Sequence, residues 1–270
     1  MERTPGPVRI AYDRVGEGPV VVFLHGIGGN RTNWRRQLQA FGNRFSAVAW
    51  DARGYGDSDD PPAPLRFRDY ADDLHRLLDH LGADRAHLVG MSMGGMILQD
   101  FVGRHPERVA TLGLIDTSAG FGRAPENVTR EFLARRLAPL EAGLRPVDLA
   151  PGLVDALVSP RASPQIREEL VASLAALRVG PYKQALHAIV TTDFRSVLPR
   201  IAAPTLIVVG AEDGVTPPHE SDFLCAQIPG AEKIVLPGIG HLTNLEAPDA
   251  FNAAVGAFLD RHRARAVGPT

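Results

Sequence analysis

Short apolar runs alternate along the chain with longer stretches of helical periodicity. Val20-Val21-Val22-Phe23-Leu24, Ser46-Ala47-Val48-Ala49-Trp50, Ala86-His87-Leu88-Val89-Gly90, Thr111-Leu112-Gly113-Leu114-Ile115, Thr205-Leu206-Ile207-Val208-Val209 and Lys233-Ile234-Val235-Leu236 are almost unbroken in apolar character. A strand with one wet face alternates apolar and polar residues; an unbroken run predicts a strand covered on both faces, as in a parallel sheet flanked by helices. Between the runs, Leu74, Leu77, Leu78 and Leu81 recur at helical spacing over 70–81, and Phe251, Val255, Phe258 and Leu259 do so over 248–262. Alternating strand and helix predicts a doubly wound, mostly parallel α/β sheet. Residues Val8 to Tyr12 predict an added edge strand, turned at Gly16-Glu17-Gly18.

The alternation breaks over residues 121–194, where helical patterns are punctuated by Pro125, Pro139, Pro146, Pro151, Pro160, Pro164 and Pro181. This predicts a helical insertion, with residues 1–120 and 195–270 forming the core domain. Of 270 residues, 44% are hydrophobic and 22% charged, which suits a globular protein with a large core. The formal net charge of −2 offers no basic footprint for nucleic acid. The basic stretch Arg261-His262-Arg263-Ala264-Arg265 reads as a solvated end of the chain. A single cysteine, Cys225, cannot form an internal disulfide, has no zinc-site spacing and reads as a small buried residue. No secretory leader and no apolar run of membrane-spanning length is visible, so a cytoplasmic protein without a membrane segment is expected. No cofactor or metal is expected.

Gly90-Met91-Ser92-Met93-Gly94 joins the third core strand to a helical run beginning Gly95-Met96-Ile97-Leu98. This is G-x-S-x-G between strand and helix, the setting in which a serine is held on a sharp, strained turn. Side chains two positions to either side would collide with backbone, which explains the glycines. The helix that follows aims its N–H groups at developing negative charge. His25-Gly26-Ile27-Gly28-Gly29-Asn30 follows the first core strand, and its glycines allow backbone to approach a substrate closely. Acyl transfer needs preorganised N–H donors for a tetrahedral oxyanion, and those of Ile27 and Met93 are the candidates. His25 reads as a loop-shaping residue. The loop matches neither G-x-x-x-x-G-K-[ST] nor G-x-G-x-x-G, which argues against nucleotide binding.

A serine hydroxyl needs a base, and the base needs a carboxylate to fix its tautomer. Of 9 histidines, His241 alone lies in a loop between the last strand and the last helix, within Pro237-Gly238-Ile239-Gly240-His241. His75, His80, His87, His105, His187, His219 and His262 read mostly as surface residues. Asp213 follows the strand 205–209 and gives the order Ser, Asp, His. Glu212 and Asp116 are rival acids; otherwise Asp116 reads as anchoring the loop into the insertion. Glu246 reads as capping the final helix region or facing solvent.

With His25 to Gly29, Asp51-Ala52-Arg53-Gly54-Tyr55-Gly56-Asp57-Ser58, Gly90 to Gly95, and Gly240-His241 after Gly210-Ala211-Glu212-Asp213, the chain resembles the α/β-hydrolase superfamily. The resemblance implies the α/β-hydrolase fold, with Asp51 to Ser58 as a structural turn and the insertion as a cap shaping the substrate pocket. The nucleophile elbow, Gly90-Met91-Ser92-Met93-Gly94-Gly95-Met96, and the stretch Gly28-Gly29-Asn30 are similar to those of 3-oxoadipate enol-lactonases and related small esterases. Haloalkane dehalogenases and epoxide hydrolases of this fold carry aspartate where Ser92 stands. The implied activity is hydrolysis of a small-molecule ester or lactone through an acyl-enzyme. The alternative is carbon–carbon bond hydrolysis of a ring-fission diketone or vinylogous diketone. Arg135, Arg136 and Arg178 read mainly as surface residues. A buried arginine above Ser92 would favour a carboxylate-bearing substrate.

Overall fold

The computed structural model describes residues 1–122 and 124–266. Eight strands form one sheet: β1 (Glu2–Arg3), β2 (Ala11–Val15), β3 (Val20–Leu24), β4 (Ser46–Trp50), β5 (Ala86–Met91), β6 (Val109–Ile115), β7 (Thr205–Gly210) and β8 (Glu232–Leu236), in spatial order β1-β2-β4-β3-β5-β6-β7-β8. The first two pairings are antiparallel and the rest parallel. Helices α1 (Arg35–Phe41), α2 (Arg68–His80), α3 (Met93–Arg104), α8 (Pro218–Gln227), α9 (Thr243–Glu246) and α10 (Pro248–Arg261) surround it, and α4 (Glu126–Glu141), α5 (Pro146–Leu157), α6 (Pro164–Ala175) and α7 (Val179–Ile189) lie between β6 and β7.

The period of two along each strand divides the core into layers. Val20, Val22 and Leu24 of β3 join Leu74 and Leu77 of α2, Ile97 and Phe101 of α3, and Leu224 of α8. Val21 and Phe23 join Leu38 and Phe41 of α1, and Phe251, Val255 and Phe258 of α10. Both faces are therefore dry, which is why the central strands read as unbroken apolar runs.

Two edges depart from the sequence expectation. The edge strand begins at Ala11, not Val8, because Thr4 and Ile10 bond to each other: Thr4 N–H donates to the Ile10 carbonyl at 2.9 Å, and Ile10 N–H to the Thr4 hydroxyl at 2.9 Å. Pairing with β4 then runs from Tyr12 opposite Trp50 to Val15 opposite Ala47, and β1 adds outside it. At the other edge β8 has one neighbour, and Val235 is 42% exposed. His87, expected at the surface, is wholly buried in β5, with Nδ1 2.9 Å from the Thr111 hydroxyl. Cys225 is half-buried.

The helical segment leaves and rejoins the sheet at one point. Phe121 N–H donates to the Thr192 carbonyl at 2.8 Å, and Phe194 N–H to the Ala119 carbonyl at 2.9 Å. It docks on the sheet's loops through Asn30 and Ser173, and through Arg178, whose guanidinium donates to the carbonyls of Gly56 and Ser58 at 2.6 and 2.8 Å. Among the described residues no helix is long and apolar enough to cross a membrane.

Candidate active site

Ser92 occupies the single residue between β5 and α3, with φ 53° and ψ −117°. A non-glycine residue in this region carries strain and persists only where its surroundings enforce it. Here they do: Ser92 N–H donates to the Ile115 carbonyl at 2.9 Å, and the Thr117 hydroxyl donates to the Ser92 carbonyl at 2.7 Å. A Cβ on Gly90 would lie 2.4 Å from the Gly94 carbonyl oxygen, and one on Gly94 would lie 2.3 Å from that of Leu24. The turn closes only because both positions lack side chains.

The glycine loop after β3 faces the same space. Gly26, Ile27, Gly28 and Gly29 line a cavity with Ser92, while Met93 opens α3, where a first-turn N–H has no partner within the helix. His25 is fully buried, and its two ring nitrogens define its part. Ala52 N–H donates to Nε2 at 3.0 Å, so the proton sits on Nδ1, which donates to the Gly26 carbonyl at 2.8 Å. Burial holds the ring neutral. His25 thus joins the glycine loop to the turn after β4. That turn is itself internally bonded: Asp51 accepts from Arg31 and Asp57, the Ser58 hydroxyl donates to the Asp51 carbonyl at 2.6 Å, and Arg53 pairs with Asp73 at 2.8 Å.

His241 and Asp213 meet as the sequence expects, with Nδ1 2.8 Å from Asp213 Oδ2. This leaves Nε2 on the opposite edge of the ring. Asp213 also accepts Val215 N–H at 2.8 Å, Thr216 N–H at 2.9 Å and the Thr216 hydroxyl at 2.9 Å. Burial pushes Asp213 up, but the His241 bond and charge and these backbone donors outweigh it and hold it below the usual carboxylate value. Burial pushes His241 down, and the Asp213 bond and charge, with the charge of Asp116, carry it above the usual imidazole value.

The rival acids are elsewhere. Glu212 is exposed. Asp116, at the end of β6 with φ 43°, is fully buried; it accepts Gly210 N–H at 3.0 Å, Thr243 N–H at 3.0 Å and the Thr243 hydroxyl at 2.7 Å. It therefore ties the ends of β6 and β7 to the start of α9 instead of anchoring the insertion. Glu246 neither caps α10 nor points to solvent. Its carboxylate accepts Ser159 N–H at 2.8 Å and Gly240 N–H at 3.1 Å, joining the loop before His241 to the end of α5.

Ser92 and His241 both line a cavity of about 860 Å³. Its walls include Phe121, Val128, Phe132 and Leu174 from the helical segment and its approaches, and Arg136 stands among them. Arg136 is half-buried, unlike a surface arginine. Its guanidinium lies 3.9 Å from the centre of the Phe132 ring, and it donates to the Phe132 carbonyl at 3.2 Å. Among the described residues no carboxylate pairs with it; burial lowers its pKa, and Tyr182 is the partner that partly restores it. Arg135 is exposed, and Arg178 is held by the backbone of Gly56 and Ser58 and by Asp60.

A family model described as the alpha/beta hydrolase fold matches residues 19–248. The chain belongs to this family. It is 32% identical over 267 residues to 3-oxoadipate enol-lactonase 2 of Acinetobacter baylyi, covering 96% of each chain. Among solved structures it resembles a hydrolase from Pseudomonas aeruginosa PA01 (TM-score 0.85, 34% identity, 93% of this chain and 94% of that one). It also resembles the enol-lactonase of Burkholderia xenovorans LB400 (TM-score 0.84, 26% identity, 94% of this chain and 97% of that one). This α/β hydrolase is an enzyme of the hydrolase class, and its relatives include enol-lactonases and esterases. The sheet and its mostly parallel order are those expected from the sequence.

Proposed function

We propose that this hydrolase cleaves a carboxylic ester or lactone through an acyl-enzyme, and that its substrate carries a carboxylate. The observation that carries the reading is the 2.8 Å Asp213–His241 bond beside a cavity that both His241 and Ser92 line. Asp213 holds the Nδ1–H tautomer, leaving Nε2 as the base. Nε2 takes the Ser92 proton as Oγ attacks the carbonyl carbon. The resulting oxyanion rests on the N–H groups of Ile27 and Met93. The intermediate collapses, the bond to the leaving oxygen breaks, and His241 returns the proton to that oxygen. Water, deprotonated by the same ring, attacks the acyl-serine; the acid product leaves and Ser92 recovers its proton.

The helical residues 121–194 serve as a cap over the nucleophile in this reading. The carboxylate preference is supported by Arg136, a cation lining the cavity with an aromatic ring and a carbonyl for company. A substrate carboxylate would supply the charge partner that no described residue provides. Relatives named as enol-lactonases support the lactone branch.

The test is a series of paired esters and lactones, with and without a terminal carboxylate, assayed on wild type and Arg136→Met. Wild type is expected to hydrolyse the series and to favour the anionic member by about tenfold to a hundredfold, a preference Arg136→Met loses. Failure to hydrolyse any member would contradict the ester or lactone reading; an unchanged preference in Arg136→Met would contradict the carboxylate.

A further inference from the structure

The acyl-transfer steps make no use of one buried titratable group, Asp116. We propose that Asp116 is a positioning residue acting through His241: it fixes the base loop to the ends of β6 and β7 and sets a second negative charge behind the imidazolium. This rests on the hydrolytic reading of Ser92, Asp213 and His241.

Three bonds give the geometry. Oδ1 accepts the N–H of Gly210, the last residue of β7, three positions before Asp213. Oδ2 accepts both the N–H and the hydroxyl of Thr243, two positions after His241. Asp116 N–H donates to the Val208 carbonyl at 2.8 Å, so the residue is itself seated on β7. One carboxylate thereby spans the segments that carry the acid and the base. The positive φ of Asp116 fits this role, since a strained non-glycine conformation at a strand end turns the side chain away from the path of the strand.

The charge argument follows from burial. Asp116 is fully buried and, among the described residues, no cation is bonded to it, yet every contact named is a donor, which favours the ionised form. Burial, with the charge of Asp213, raises it to about 7 against the opposing charge of His241 and the two Thr243 donors. The charged groups acting on His241 are Asp213 after β7, Asp116 at the end of β6 and Arg136 from α4. Glu246 bonds the adjacent Gly240 N–H, and the Thr216 hydroxyl lies 3.3 Å from Nδ1. Two carboxylates thus favour the imidazolium and one guanidinium opposes it. When Nε2 takes the Ser92 proton, the new charge favours the ionised form of Asp116, and the ionised form in turn favours the imidazolium.

The experiment compares wild type with Asp116→Asn and Thr243→Val. The His241 ring is titrated by NMR on histidine-labelled protein, and kcat and KM are measured on an ester or lactone that wild type hydrolyses. Asparagine keeps the shape without the charge, so the His241 pKa is expected to fall by about one pH unit. In parallel kcat should fall by about tenfold with KM little changed. Thr243→Val removes one donor to the carboxylate, and the same changes are expected in smaller measure; this variant decides the matter if Asp116→Asn does not fold. An unchanged His241 pKa in the folded variants, with only thermal stability reduced, would overturn the proposal and leave Asp116 a purely structural tie. A wild-type protein that hydrolyses nothing while the His241 pKa still shifts would instead sink the hydrolytic reading and leave the coupling standing.

Discussion

The backbone N–H of His241 donates to the carbonyl of Leu157, the last residue of α5, at 2.8 Å. The base loop is therefore attached to the helical segment, which contributes to the cavity lining, as well as to the sheet. Glu246 strengthens the join by accepting Ser159 N–H and Gly240 N–H. Movement of α5 would be felt at the imidazole.

Glu246→Ala removes the acceptor for both donors and leaves them to find water or remain unpaired. A loss of roughly 1–3 kcal/mol is expected, read as a lower midpoint in thermal or denaturant unfolding. Because these bonds set the loop that carries His241, kcat should fall more than KM rises. An unaltered kcat in a destabilised variant would show that the loop keeps its geometry without Glu246.

The pH dependence has a definite sign. Asp213 and Asp116 hold His241 above the ordinary imidazole value against the effect of burial. A base works only when unprotonated, and a raised pKa keeps it protonated to higher pH. The acidic limb of kcat/KM should therefore lie above a pH of about 6.5 and activity should drop as pH falls through it. A limb at or below that value would mean that burial outweighs the two carboxylates.

The elbow glycines answer to a steric limit. The Cβ of Gly90→Ala would sit 2.4 Å from the Gly94 carbonyl oxygen, and that of Gly94→Ala 2.3 Å from the Leu24 carbonyl oxygen. Both neighbours are backbone and cannot rotate away. Each variant should lose soluble, folded protein or retain only a small fraction of activity, checked by circular dichroism and rate measurement on the same preparation. Gly152→Ala, on α5 with open space at its Cβ, is the control that should tolerate the change.

The core strands were legible because each run is buried on both faces, so hydrophobicity alone marks them. Ser92 was legible for a different reason: its turn demands glycine at 90 and 94, and that demand is written locally. His241 could be singled out by its place between the last strand and the last helix. What local pattern cannot carry is a partnership across the chain. Asp116 meets Gly210 and Thr243 at separations of 94 and 127 residues, and Glu246 meets Ser159 at 87. Arg136 looks like any helical arginine until the fold turns it onto the Phe132 ring beside the cavity. His87 lies in an apolar run, and that signal could have predicted its burial. The short strand β1 (Glu2–Arg3) is exposed and polar, and only its pairing with β2 defines it.

The central claim is that Ser92 is a nucleophile activated by His241. A fluorophosphonate probe, followed by peptide mass spectrometry, tests it without knowledge of the substrate. Covalent labelling at Ser92 in wild type, abolished in Ser92→Ala and slowed in a folded His241→Ala, is the expected result. Absence of labelling at Ser92 in the wild-type protein, or labelling as fast in His241→Ala, would contradict it.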